Sequence, residues 1–324
     1  MFKQIERFIK AHNLFSKDST IVIGLSGGPD SVFLLHFLAA LRDRGDIAQL
    51  VAAHLDHEWR ADSYEDTQFC HEVAKKYNVP LVAKKMSELS ISLKFNGSLE
   101  EVGRKARQFF FESVKKEYKA DLIALAHHAQ DQQETFFIRL LRGATLTGLT
   151  AMKPKQGCYV RPLLTTNKTD IVDFLDAHSI PYLVDPTNAS DKFLRNRVRS
   201  QVLPALRTCD ARFDKKFEHT LEQLQQTEQF LQQETKNTAA QLFEKKGETI
   251  YLPATKLLQL HPVLRDRVLL YWLCQENVQF PVRRGFFYEI IKFLAQPAGG
   301  THKLHHEWQL VKQKGMVRIE RLDT

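Results

Sequence analysis

Thr20-Ile21-Val22-Ile23-Gly24-Leu25-Ser26-Gly27-Gly28-Pro29-Asp30-Ser31, followed at once by Val32-Phe33-Leu34-Leu35-His36-Phe37-Leu38, decides how the rest of the chain is read. Four β-favouring residues run into a glycine-rich turn, and the turn runs into an apolar segment of helical spacing, which predicts strand, loop, helix. Glycines admit positive φ and clear space for a ligand, while free amides and the helix dipole favour an anion at the helix start. Ser26 and Ser31 add hydroxyls, and Asp30 adds a carboxylate able to hold a metal beside phosphates. No Gly-Lys-Ser/Thr follows, so the loop is not a Walker A motif, and the third glycine of a dinucleotide fingerprint is missing. The plain alternative is a tight turn capped by serine.

Working outward, Leu50 to His57, Pro80 to Lys84, Leu122 to Ala126 and Tyr159 to Leu164 read as further strands. Between them lie helical stretches at about Ser63 to Tyr77, from Ser98 with Glu101 as a capping box, and at about Asp131 to Leu141. This alternation predicts an α/β fold, a parallel sheet with helices on both faces and ligands beyond the carboxyl ends of the strands. The polar clusters Ser26 to Ser31, His54 to His57 and His127 to Glu134 all fall at such ends. From Ala211 a long glutamine-rich helix begins, then two or three more helices between Tyr251 and Phe293, and a hairpin around Lys314-Gly315. The expected division is a catalytic domain over 1–210 and a smaller, mainly helical domain over 211–324.

At 324 residues the chain can build two cores. No apolar run approaches the length of a membrane span, and the amino-terminal ten residues read as an amphipathic helix rather than a signal peptide, so a cytoplasmic location and no membrane partner are expected. Cys70, Cys158, Cys209 and Cys274 form no paired motif, which argues against a disulfide framework or a zinc ribbon. A formal charge of +8 fits a polyanionic partner such as nucleic acid.

Within the clusters, Asp131 and Glu134 are three apart and share a helix face, able to point into one cleft; dipole-complementing acids in a first turn are the bland alternative. His54 and Asp56 alternate on a strand, as metal ligands or as a hydrogen-bonded strand end. Glu101, Arg104 and Arg107 recur along one helical face, either as an ion-pair ladder or as a phosphate-neutralising edge. Arg195, Arg197 and Arg199 form either a solvated basic face or a polyphosphate or tRNA contact.

Taken together these residues resemble a known family. Ser26-Gly27-Gly28-Pro29-Asp30-Ser31 matches the SGGxDS signature of the PP-loop ATP pyrophosphatases, and the further matches resemble the tRNA(Ile)-lysidine synthetase family within them. Those matches are His54 to His57, Glu101/Arg104/Arg107, Ala126 to Thr135, Arg142 to Leu149, Arg161 to Leu164, Asp185-Pro186-Thr187-Asn188 and Arg195-Asn196-Arg197. The family commonly carries two adjacent aspartates after the histidine pair; here the first is Gln130. Longer members hold a further carboxyl-terminal domain, and this chain reads as the compact type.

The resemblance implies a Rossmann-like, adenine nucleotide alpha-hydrolase-like sheet with a tRNA-binding second domain. It implies ATP and Mg²⁺ as cofactors, and a tRNA(Ile) with a CAU anticodon and free L-lysine as partners. On this basis ATP is assigned to Ser26, Gly27, Gly28, Pro29, Asp30, Ser31 and His54, with Asp30 near the metal. Catalysis falls to Asp30, Arg107, Asp131 and Glu134, and lysine to Asp131 and Glu134. Arg104, Arg195, Arg197 and Arg199 are assigned to phosphate or tRNA. A related PP-loop enzyme of tRNA 2-thiolation is the alternative. The oligomeric state stays open, a homodimer among the options.

Overall fold

Val22 faces one hydrophobic cluster and its neighbours Ile21 and Ile23 face another, so the strand that leads into the glycine loop is covered on both sides. The computed structural model describes residues 1–60, 62–89, 99–184, 193–280 and 284–322. Two compact units divide it, Met1–Glu222 and Gln223–Thr324.

In the first unit the strands are β1 (Thr20–Gly24), β2 (Gln49–Asp56), β3 (Leu81–Lys85), β4 (Leu122–Ala124), β5 (Lys155–Gln156) and β6 (Tyr159–Val160). They form one sheet in the order β3-β2-β1-β4-β6-β5, parallel except for the β5/β6 hairpin. Helices α1 (Phe2–Ala11), α2 (Pro29–Asp43), α3 (Ser63–Lys76) and a helix over Lys168–Ala177 contribute Ile5, Phe33, Cys70 and Ile171 to one cluster. On the opposite face α4 (Leu99–Glu117) packs Ala106, Phe110, Phe111 and Val114 against Val22, Val51 and Ile123. The expected parallel α/β sheet is therefore present. The fifth strand stops at Val160 instead of continuing to Leu164, because Arg161 is followed by Pro162, which has no amide to extend a ladder. Ser98, the proposed cap of α4, lies outside the described residues.

The chain order reverses direction at β1, with β2 on one side and β4 on the other. In open parallel sheets this switch point is where the loops diverge and a crevice opens. The glycine loop leaves β1 there, and α5 (Ala129–Leu141) follows β4. After α6 (Leu146–Leu149) and α7 (Lys168–Ala177) comes α8 (Leu194–Arg197), then a π-helical turn, Val198–Val202, and α9 (Leu203–Cys209).

Helix α10 (Phe213–Leu242) begins in the first unit, where Phe213 and Phe217 pack rings against Phe137, and Phe217 also meets Phe136 edge-on. The second unit adds α11 (Ala254–Gln259), α12 (Pro262–Gln275) and α13 (Arg284–Ala295). Its fully buried Trp272 lies in a core with Leu257, Leu269, Ile290 and Leu310. The carboxyl-terminal hairpin expected around Lys314-Gly315 is present, but it belongs to a five-stranded antiparallel sheet. The strands are β7 (Glu244–Lys246), β8 (Thr249–Pro253), β9 (Gly300–Lys303), β10 (Trp308–Gln313) and β11 (Met316–Arg321). β7 and β8 turn at Gly247, whose φ of 63° suits glycine; β7 is too short and too charged to announce itself by alternation.

Candidate active site

The glycine loop is held by its own hydroxyls. The Ser26 amide donates to Ser31 Oγ at 3.1 Å, the Ser31 hydroxyl donates to the Gly28 carbonyl at 3.0 Å, and the Ser26 and Ser31 hydroxyls meet at 3.1 Å. Gly28 caps α2 and Pro29 opens it, a position where proline's missing amide costs nothing. Gly27 has φ 80°, and a Cβ there would stand 2.7 Å from Leu183 Cδ1. Leu183 closes over the loop and donates its amide to the Gly27 carbonyl. The loop is thus a preformed cradle of backbone amides at a helix amino terminus, suited to phosphate.

Asp30 sits in the first turn of α2. Its Oδ2 lies 3.3 Å from Lys168 Nζ and 3.7 Å from His128 Nε2, and its Oδ1 is buried with no hydrogen-bond partner. A bare carboxylate oxygen beside a phosphate cradle fits a hard cation, and Mg²⁺ commonly takes one or two carboxylates with the rest of its shell from phosphates and water. Among the described residues, no cluster of three histidine, cysteine or acidic side chains gathers for a metal. Asp30 would therefore share such an ion with the nucleotide.

Across the switch point, α5 carries the acidic pair. His128 Nε2 lies 3.5 Å from Asp131 Oδ2, and the His128 amide donates to that oxygen at 2.9 Å. Glu134 is fully buried. Its two oxygens accept Arg195 Nε and Arg199 Nε, both at 2.6 Å, and Arg195 also donates to Asp131 Oδ1 at 2.7 Å. Burial opposes the charged form of Asp131, but His128, Arg195 and His127 outweigh it and hold its pKa at about 2. Burial pushes His127 down to about 4, so it is neutral at pH 7.

The sequence-assigned residues thus separate into groups. Asp30 and Asp131 are linked through His128, and Asp131 and Glu134 through Arg195, along the crevice. Arg195 and Arg199, assigned to phosphate or tRNA, instead grip the acidic pair, while Arg197 is exposed. His54 lies beneath the loop, where its Nδ1–H donates to the Leu25 carbonyl at 2.9 Å and its Nε2 is buried without a partner. Arg104 and Arg107 are exposed on α4, and burial first, with nearby Arg107 next, lowers the pKa of His57. Asp185-Pro186-Thr187-Asn188 lies outside the described residues.

Sequence reasoning singled out Gln130 without foreseeing its contact, and it missed Lys168. Gln130, where an aspartate is common, accepts the Lys168 amide at 2.9 Å and so satisfies the first turn of α7. Lys168 then reaches Asp30. The available signal was Asn167 followed by Lys168 and Asp170, a helix start that places a lysine in its first turn.

A PP-loop domain model matches residues 1–206. A tRNA(Ile)-lysidine synthase of Bacillus subtilis is 35% identical over 271 residues, covering 82% of this chain and 57% of that protein. A second, from Bacillus cereus, is 30% identical over 309 residues, covering 92% and 64%. The chain therefore spans about three fifths of the length of these relatives. Among solved structures, the U34-tRNA thiolase NcsA of Methanococcus maripaludis superposes with TM-score 0.57 at 16% identity, covering 68% of this chain and 78% of that one, which speaks to the fold alone. Among the described residues, no helix is long and apolar enough to cross a membrane.

Proposed function

The chain belongs to the PP-loop family, and from that premise we propose that it ligates lysine to the wobble cytidine of a tRNA(Ile) with a CAU anticodon, at the expense of ATP. The observation that carries this reading is the continuous line from the phosphate cradle to the acidic pair. Asp30, His128 and Asp131 follow one another at 3.7 and 3.5 Å, so a nucleotide on the loop and a cation on the carboxylates would be neighbours.

The cytosine carbonyl is a weak electrophile without a leaving group. Attack of its oxygen on the α-phosphate of ATP forms an adenylate and expels pyrophosphate; attack of the lysine ε-amine on the same carbon then expels AMP and forms lysidine. The amides of Gly27 and Gly28 with the hydroxyls of Ser26 and Ser31 bind phosphate, and His54 supports the loop from below. Mg²⁺, shared between Asp30 and the phosphates, would supply charge neutralisation. Arg104 and Arg107 offer cations to phosphate from α4.

Lysine's amine is protonated in water, with a pKa of about 10.4, and has to lose a proton to attack. Asp131 and Glu134 bind the ammonium group in this reading, Asp131, held at about 2, as its counter-charge and Glu134 as the acceptor of the proton. These carboxylates already hold cations of the same kind, the guanidinium groups of Arg195 and Arg199. Exchange of guanidinium for ammonium needs another anion for the arginines, and the phosphates of ATP or tRNA provide it. The second unit serves as a tRNA-binding domain, and two copies pairing into a homodimer is compatible with this chemistry. Thiolation is less well supported: Cys70, Cys158, Cys209 and Cys274 form no paired motif in the sequence, and burial pushes the Cys70 thiol up to about 12.

Incubation of the purified protein with unmodified tRNA(Ile), ATP and labelled lysine tests the reading. Label is expected in the tRNA, with AMP and pyrophosphate in equal amounts. ATP cleavage without lysine transfer would overturn it.

A further inference from the structure

An aromatic pair, half-buried His57 beneath exposed Trp59, stands on the loop that follows β2. His57 and Trp59 stack with ring centroids 4.6 Å apart and planes inclined by 21°. Residues two apart can stack because the residue between them, Glu58, adopts φ 56°, a left-handed conformation unusual outside glycine. That turn is fastened on both sides: the Glu58 amide donates to Asp56 Oδ1 at 2.8 Å, and Glu58 Oε2 accepts the Ser87 amide at 2.8 Å. Backbone strain held in this way concentrates at functional sites. The indole is nevertheless 56% exposed, so the strain does not serve to bury it.

The pair is seated on α4. A Cβ at Gly103 would lie 2.8 Å from Trp59 Cζ2 and 3.3 Å from His57 Cε1, so only glycine lets the rings rest against the helix backbone. Exposed Arg104 and Arg107 follow on the same helix. Burial, with Arg107 next, holds His57 at about 4, so the ring beneath the indole is an uncharged aromatic surface at pH 7.

We propose that the His57/Trp59 stack is a platform on which an unpaired base of the RNA substrate lies, with the α4 cations beside it for the adjoining phosphates. Open aromatic faces next to a basic edge are how proteins hold single-stranded nucleotides. The adenine of ATP fits less well, because a small ligand is normally enclosed over most of its surface and this indole face is open. The inference rests on the RNA-modifying reading above, yet binding alone tests it, so failure of lysine transfer leaves the test intact.

The test is titration of the full chain with an anticodon stem-loop, a fully paired RNA duplex of equal length, and ATP. Trp59→Leu is expected to weaken stem-loop binding about tenfold, with Trp59→Phe restoring most of it and the duplex and ATP little changed. Stem-loop binding should quench a fluorescence component that Trp59→Phe lacks. Gly103→Ala supplies an independent variant: the added methyl displaces the indole while alanine favours the helix, so stem-loop affinity should fall although the melting temperature holds or rises. Unchanged stem-loop affinity in Trp59→Leu, an equal loss on the duplex, or a selective loss of ATP affinity would each overturn the proposal.

Discussion

The two halves of the crevice are built on opposite principles. The phosphate cradle is shaped chiefly by bonds between residues at most five apart, Ser26, Gly28 and Ser31, at the start of one helix, with the Leu183 amide added from far along the chain. The acidic pair is made of bonds that span more than sixty residues, joining α5 to Arg195 and Arg199. A local device keeps its shape through its own backbone, whereas a long-range one depends on two separate segments arriving together. The cradle should therefore be robust to remote change, and the acidic pair should be where stability and chemistry are coupled.

The largest effect that would sharpen this contrast is expected from Glu134→Ala. It takes Glu134 away from Arg199 and leaves Arg195 with Asp131 alone, and removal of one partner from such a pair costs about 3 kcal/mol when the other is partly solvated. Chemical denaturation should register that loss, with nucleotide binding retained and lysine transfer abolished. Equal loss of ATP affinity would show that the two halves are not separable.

Gly27→Ala comes next. A left-handed conformation costs an ordinary residue about 1–2 kcal/mol, and the new methyl meets Leu183. ATP affinity should fall while the Glu134 cluster is untouched; a variant with normal ATP affinity would mean that the cradle does not need its backbone shape.

The smallest effect is electrostatic. His127, held at about 4 in the folded state against 6.5 when unfolded, takes up a proton on unfolding throughout that interval. Its contribution to stability is complete above about pH 6.5 and declines as the pH falls towards 4, by at most about 1.4 kcal/mol per pH unit. Asp131 has the usual carboxylate sense, its contribution being present above about pH 4 and lost as the pH falls towards 2. His127→Asn should flatten the upper part of the acid limb in melting experiments; an unaltered profile would show that His127 does not report on the acidic half.

This contrast also explains what could be read from the residues alone. Thr20 to Ser31 announces strand, turn and helix because the hydroxyl bonds that shape its turn lie within a few positions, and the alternation of strands and helices placed that turn at a sheet end. Asp131 and Glu134 were legible as a shared face through helical spacing. Their engagement by Arg195 and Arg199 was not, since nothing in a basic run says whether it faces water or a carboxylate more than sixty residues away. Lys168 escaped notice for the same reason: it reaches Asp30 only because Gln130 and Asn167 fix the start of α7. In the second unit, Lys314-Gly315 signalled one hairpin, but the short strands flanking Gly247 are defined by the partners they pair with.

The double-sided burial of β1 sets the distance between the two halves. Ile21, Val22 and Ile23 pair in register with Leu122, Ile123 and Ala124, and because alternate side chains enter different cores, a slip of one residue would exchange both sets at once. It would also carry the cradle about 3.3 Å along the sheet, comparable with the 3.7 Å that separates Asp30 from His128. Three aliphatic side chains with no polar atom thus act as the ruler of the crevice, and a single-residue insertion in β1 would disconnect its chemistry while leaving every polar group in place.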